Sequence, residues 1–301
     1  MDIVDRIKKL KKEKNAVILA HYYVRPEVQD IADYIGDSFY LSKVAVSLKE
    51  QTIVFCGVEF MGESAKTLNP EKTVLMPDLG ADCPMAHMAN AETIQKMRDT
   101  YEDLAVVCYI NSTSDLKQYS DVCVTSANAV KIVKALPNKN IFFIPDRNLA
   151  HYIAGQVPEK NFVYNEGFCP THERIEAEDV LKVKAEHPEA KILSHPECRG
   201  EILEISDYIG STSGIIKYAT ESEDQEFIIC TEEGVSYKLH KDNPDKKFYF
   251  PESVPTCPNM KKNSLEKILH VLETGDNEIL VTEELREASK KPLERMLELA
   301  K

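Results

Sequence analysis

The chain has 301 residues, 43% hydrophobic and 29% charged, which is enough for a buried core and for two or three small domains. Its formal net charge of −13 argues against non-specific binding to nucleic acid or to a membrane surface. No apolar run reaches the ~20 residues of a membrane span. Met1-Asp2-Ile3 leads straight into a charged amphipathic stretch, so no signal peptide is expected and the expected location is the cytoplasm. Anionic small substrates stay open, because helix N-termini bind anions without basic side chains. Eight cysteines without a secretory signal point to metal binding or buried thiols rather than to disulfides.

Taken in order, residues 2–14 carry Ile3, Val4, Ile7 and Leu10 at helical spacing. The apolar run 16–20 reads as a buried strand ending in His21-Tyr22-Tyr23. A helix is expected near 26–33, a short strand and turn at 33–38, and a helix at about 39–49. A third strand is expected at 53–56, a helix at about 59–67, a turn at Asn69-Pro70-Glu71-Lys72 and a fourth strand at 73–76. A loop then leads to Cys83-Pro84. The same order recurs from 91 to Cys169-Pro170 and from 177 to Cys257-Pro258. Asp121 and Asp207 match Asp33, and the turns ending in Lys160 and Lys246 match the turn ending in Lys72.

The three Cys-Pro pairs lie 86 and 88 residues apart, and the turn prolines Pro70, Pro158 and Pro244 lie 88 and 86 apart. Several independent features sharing one long period indicate internal repetition. The expected fold is α/β: three similar three-layer αβα domains, each with a parallel sheet, around a pseudo-threefold axis. The expected units are 1–84, 85–171 and 172–258, with 259–301 packing back on the first.

Ligands of parallel α/β sheets bind beyond the carboxyl ends of the strands. The first strands end in His21 and Tyr23, in Tyr109 and Asn111, and in His195 and Glu197. The second strands end in Asp37-Ser38, Thr125-Ser126 and Ser211-Thr212, where three helices are expected to start and to offer anion-binding N-termini. Each of these residues also has an ordinary structural reading, as a cap or a satisfied core group; the matching repeat positions favour a shared site. Cys56, Cys108, Cys123 and Cys230 sit in apolar strand patterns and read as buried hydrophobes. Cys83, Cys169 and Cys257 sit in Pro-containing loops able to wrap a metal, and Cys198 fits neither set. Three distant thiolates do not make a zinc knuckle. They suit a four-iron cluster with one iron open to substrate. At this point zinc, and no metal at all, also stand.

Ten dispersed motifs, in order, resemble the quinolinate synthase (quinolinate synthetase A) family over nearly the whole chain. They are His21-x-Tyr23 followed by 26–38; Phe60-Met61-x-Glu63 with Leu68-Asn69-Pro70; Cys83-Pro84-Met85-Ala86; and Tyr109-x-Asn111-Ser112-Thr113. Then come Thr125-Ser126-Ala127-Asn128; Pro145-Asp146-Arg147-Asn148-Leu149; Cys169-Pro170-x-His172; His195-Pro196-Glu197-Cys198; Gly210-Ser211-Thr212; and Cys257-x-Asn259-Met260-Lys261. One departure is Tyr22, where the family commonly has Asn; strand alternation should turn it away from the cavity.

The resemblance implies a cluster-dependent transferase of de novo NAD biosynthesis. It implies that iminoaspartate (iminosuccinate) and dihydroxyacetone phosphate condense to quinolinate, phosphate and water. It implies one [4Fe–4S] cluster per chain on Cys83, Cys169 and Cys257. It implies a substrate site of His21, Ser38, Tyr109, Asn111, Ser126, His195, Glu197 and Thr212, with Tyr23 and His172 as participants. The chemistry makes Glu197 and His195 the base candidates and Tyr23 and Tyr109 the proton donors. An aspartate oxidase or dehydrogenase would supply the iminoaspartate; neither nucleic acid nor membrane is an expected partner. A three-cysteine cluster hydro-lyase and a metal or redox sensor are the competing readings.

Overall fold

A computed structural model describes residues 2–301. The first unit runs α1 (Ile3–Glu13), β1 (Ala16–His21), α2 (Pro26–Ile31), β2 (Tyr34–Gly36), α3 (Ser38–Ala45), β3 (Thr52–Cys56), α4 (Glu59–Leu68) and β4 (Thr73–Leu75). The second runs α5 (Ala91–Thr100), β5 (Leu104–Tyr109), α6 (Ser114–Lys117), β6 (Val122–Val124), α7 (Ala129–Ala135), β7 (Asn140–Ile144), α8 (Arg147–Gln156) and β8 (Asn161–Tyr164). The third runs α9 (Ala177–Glu186), β9 (Lys191–Ser194), α10 (Gly200–Glu204), β10 (Tyr208–Ile209), α11 (Thr212–Glu221), β11 (Glu226–Cys230), α12 (Val235–Asp242) and β12 (Lys247–Tyr249). Each unit forms a four-stranded parallel sheet of one strand order: β2-β1-β3-β4, β6-β5-β7-β8 and β10-β9-β11-β12. β1 and β5 are buried along their whole length, as strands covered by helices on both faces must be.

Two small devices recur and explain why the repeat is legible. Asp33, Asp121 and Asp207 each stand before the second strand of their unit. Their carboxylates accept the backbone N–H of Ile18, Val106 and Ile192 at 2.8, 2.7 and 2.9 Å. Their own N–H groups donate back to the carbonyls of those same residues, each at 2.9 Å. Lys72, Lys160 and Lys246, at the ends of the turns, point their ammonium groups at loop carbonyls: Leu48 and Glu50, Leu136 and Asn138, Ala219 and Ser222. An ammonium with three donors satisfies carbonyls that no strand pairs.

Each unit ends in its Cys-Pro loop, followed by a single 3-10 turn at Pro84–His87, His172–Arg174 or Met260–Lys262. Beyond the third, α13 (Leu265–Thr274) lies against α1 and β3. The 17-residue α14 (Glu283–Leu299) lies across α4, α6, β6 and α7, bridging the first and second units. The stretch 278–281, readable as a strand, makes only one antiparallel bridge, Leu75 with Glu278. Pro77 has no N–H to extend it, and Leu280 turns out to solvent, 80% exposed.

Candidate active site and metal centre

The carboxyl ends of the three sheets open on one cavity of about 190 Å³. All but one of the residues singled out at the strand ends line it; Ser211 instead caps the helix that begins at Thr212. His21, Tyr23 and Ser38 come from the first unit, Tyr109, Asn111 and Ser126 from the second, and His195, Glu197 and Thr212 from the third. His172 enters from the loop after Cys169, and Cys83, Cys169 and Cys257 complete the wall. Tyr22 is buried but stands outside the lining.

The two strand-end histidines are held alike. His21 Nδ1 accepts the N–H of Tyr23 at 3.1 Å, and His195 Nδ1 accepts the N–H of Glu197 at 3.3 Å. An accepting Nδ1 fixes the Nε2–H tautomer, which for His195 donates to Ser126 Oγ at 3.2 Å. Burial, helped for His21 by the neighbouring His195, lowers both rings to a pKa of about 3. Both are therefore neutral donors at ordinary pH. Burial also keeps the phenols of Tyr23 and Tyr109 protonated, raising them well above the usual tyrosine range.

Glu197 is the buried carboxylate facing these donors, 3% exposed. Its Oε2 lies 2.7 Å from His172 Nδ1 and 3.6 Å from His195 Nδ1, while Oε1 has no partner. Burial alone would raise its carboxyl. The neighbouring imidazoles and the hydrogen bonds from His172 and Tyr109 outweigh burial and bring it to about 2.

From Glu197 a continuous hydrogen-bond path runs behind the cavity wall. His172 Nε2 lies 2.9 Å from Thr231 Oγ1, Thr231 Oγ1 lies 2.6 Å from Tyr23 OH, and Tyr23 OH lies 2.7 Å from Thr212 Oγ1. Thr231 is fully buried and was not visible as a site residue in the sequence. It follows the last residue of β11, a position that reads as a plain strand end.

The three loop thiols meet at the same cavity. Burial pushes Cys83 up to about 12, Cys169 well above the usual thiol range, and Cys257 up as well. Each sulfur also faces backbone N–H groups of its own turn, which favour the thiolate: Ala86 and Met85 for Cys83, His172 for Cys169, Met260 and Asn259 for Cys257. Three soft donors from three loops, each cradled by N–H groups and each costly to ionise without a cation, fit a thiolate-bound metal cluster. A second set, Cys169 Sγ, a His172 ring nitrogen and a Glu197 oxygen, lies within 4.8 Å. That set is already accounted for as a hydrogen-bonded group, with His172 Nδ1 shared between Cys169 Sγ at 3.2 Å and Glu197 at 2.7 Å.

One of the three helices starts later than the sequence predicts. α3 begins at Ser38 with Asp37 as N-cap, and α11 begins at Thr212 with Ser211 as N-cap. In the second unit α7 begins only at Ala129, and Ser126 sits in the turn before it. There the Asn128 side chain reaches back to the N–H of Thr125 at 2.7 Å and so tightens a turn ahead of the helix. Cys198 belongs to the fold: fully buried in a separate apolar cluster with Ile175, Ile192 and Cys230, its S–H donates to the carbonyl of Cys230 at 3.3 Å.

A family model described as quinolinate synthetase A protein matches residues 5–298. The chain is 56% identical over 296 residues to a quinolinate synthase of Fusobacterium nucleatum, covering 98% of this chain and 99% of that one. It is 50% identical over 299 residues to the quinolinate synthase of Clostridioides difficile, covering 99% of this chain and 98% of the relative. It is 52% identical over 294 residues to that of Caldicellulosiruptor saccharolyticus, covering 98% and 97%.

Proposed function

Since the chain belongs to the quinolinate synthetase A family and is an enzyme of quinolinate formation in NAD biosynthesis, we propose how its cavity performs that synthesis. Iminoaspartate and dihydroxyacetone phosphate condense there to quinolinate, phosphate and water. Cys83, Cys169 and Cys257 hold a [4Fe–4S] cluster with one iron free of protein ligands. The observation that carries this reading is the meeting of three N–H-cradled thiols, one from each unit, at a cavity lined by buried neutral hydrogen-bond donors and the buried carboxylate of Glu197. A cluster bound there would supply Lewis acidity toward carboxylate and hydroxyl oxygens and so would ease loss of water.

The chain's own groups do the rest. Nε2–H of His21 and His195, the hydroxyls of Ser38, Ser126 and Thr212, and Asn111 bind carboxylate and phosphate oxygens. The N-termini of α3 and α11 add unpaired N–H groups beside Ser38 and Thr212. Ring formation requires phosphate elimination, conversion of a ketone to an aldehyde, imine closure and dehydration, each with a proton to move. Glu197, ionised with a free Oε1, accepts protons. Tyr23 and Tyr109 give them, and the hydrogen-bond path through His172 and Thr231 ties Glu197 to Tyr23 without opening the site to water. The burial of this path keeps those exchanges away from solvent.

We further propose the unit limits 1–84, 85–171, 172–258 and 259–301, a cytoplasmic location, and an aspartate oxidase or dehydrogenase as the source of iminoaspartate. Among the described residues no helix is long and apolar enough to cross a membrane. Purification without oxygen should yield a brown protein with about four irons and four sulfides per chain. It should form quinolinate from the two substrates. A colourless, metal-free protein with full activity would overturn the mechanism.

A further inference from the structure

We propose that Glu232 is a positioning residue that fixes Cys257, and through Lys261 the Tyr23 segment, so that the third thiol is held ready for the cluster. The inference rests on the cluster reading above.

Glu232 lies two residues beyond the end of β11. Its side chain is fully buried, and all its polar reach is used. Oε1 accepts the backbone N–H of Cys257 at 2.8 Å and lies 2.9 Å from Lys261 Nζ. Oε2 accepts the N–H of Gly234 at 2.7 Å. Lys261 Nζ in turn donates to the carbonyl of Tyr23 at 2.5 Å. One carboxylate thus ties the Cys257 loop to the loop after β11, and its lysine partner ties both to the strand-end segment of the first unit.

The packing is tight enough to dictate a glycine. A Cβ on Gly234 would sit 2.6 Å from Lys261 Nζ, 2.7 Å from Glu232 Oε2 and 2.8 Å from Tyr23 Cα. The requirement is one of close approach, since its φ of −58° suits any residue. Cys83 has a counterpart in Asp82, whose Oδ1 accepts its N–H at 2.7 Å; that carboxylate is 41% exposed, so it restrains its loop less. A group that orients a metal ligand in this way usually changes metal retention ~10–100-fold when removed.

Two conservative substitutions separate reach from charge. Glu232→Asp keeps the charge and draws the oxygens back by one methylene. Glu232→Gln loses the charge and keeps an oxygen able to accept from Cys257 and Lys261, while its NH2 replaces the oxygen that accepts from Gly234 and so gives up that one contact, which does not touch the cysteine. In the anaerobically purified, cluster-loaded enzyme, transfer of iron to the chelator ferrozine is followed together with loss of the cluster's visible absorbance. The expected result is release ~10-fold or more faster in E232D and within ~3-fold of wild type in E232Q. G234A, which pushes on the same carboxylate, should also release iron faster, and it carries the same test if E232D yields no folded protein. Wild-type rates in both E232D and G234A, equal acceleration in E232D and E232Q, or a faster E232Q would each overturn the inference. A wild-type enzyme that never carries the chromophore would instead overturn the cluster reading beneath it.

Discussion

Glu197→Gln replaces a carboxylate by an amide of nearly the same shape at the centre of the cavity. The backbone there is held by groups the substitution does not touch: the carbonyl of Glu197 accepts from Asn148 Nδ2 at 3.0 Å, and its N–H meets His195 Nδ1. The amide oxygen can still accept from His172 Nδ1, so the path to Tyr23 keeps its geometry. What disappears is the proton acceptor. Loss of a general base costs ~10²–10⁴ in rate, about 3–5 kcal/mol of transition-state stabilisation. The assay is anaerobic quinolinate formation from iminoaspartate and dihydroxyacetone phosphate, with kcat and KM read separately and iron and sulfide counted for each preparation. The expected variant carries wild-type iron and sulfide, binds substrates with a KM within a few-fold of wild type, and has a kcat lower by ~10²-fold or more. A loaded E197Q with kcat within ~3-fold of wild type would refute the assignment of Glu197 as base.

Three further outcomes follow from the same geometry. Thr231→Val removes the hydroxyl between His172 Nε2 and Tyr23 OH; it should lower kcat ~10-fold or more and, by leaving the buried His172 Nε2 unpaired while Tyr23 OH keeps Thr212, cost ~1–3 kcal/mol in thermal or denaturant unfolding. An unchanged kcat would remove Thr231 from the proton path. His21 and His195 are buried neutral, with pKa lowered from 6.5 to about 3, so the unfolded chain binds protons below pH 6.5 that the folded chain refuses. Stability should therefore fall as pH drops from about 6.5 toward 3, and H195N should flatten that fall; a cluster-free protein whose unfolding midpoint is the same at pH 7 and pH 5 would contradict it. Replacing Cys83, Cys169 or Cys257 by Ala should abolish the chromophore, whereas Cys198→Ala should leave iron content at the wild-type value; iron and sulfide analysis decides both.

The parts of this molecule legible in its sequence are those where local chemistry repeats with the period. Asp33, Asp121 and Asp207 make one and the same contact, as do Lys72, Lys160 and Lys246, because each satisfies backbone groups that the sheet order leaves bare in every unit. The strand-end residues are legible for the same reason: three sheets of one order must bring corresponding ends to corresponding places. The helix start expected at Ser126 failed because a side chain, Asn128, competes for the turn. Cys198 could not be placed, since a buried thiol and a ligand look alike without their neighbours.

Thr231 and Glu232 were hidden by divergence within the repeat. Two residues past the third strand, the units carry Val58, Asp146 and Glu232, so aligning the units shows no invariant acid. The structure explains the difference. In the third unit Glu232 takes the N–H of the cysteine; in the first, Val58 is apolar and Asp82 does so from within the cysteine's own loop. In the second, Asp146 caps α8 through Leu149 and leaves Oδ2 unpaired; burial and the nearby Glu197 raise its carboxyl well above the usual range, and the N–H of Cys169 offsets part of that rise. A donor beside each thiol is what the three cysteine loops have in common, and each unit meets it from a different point in the chain. The residues that steady the cysteines thus drift in sequence while the cysteines themselves keep their spacing.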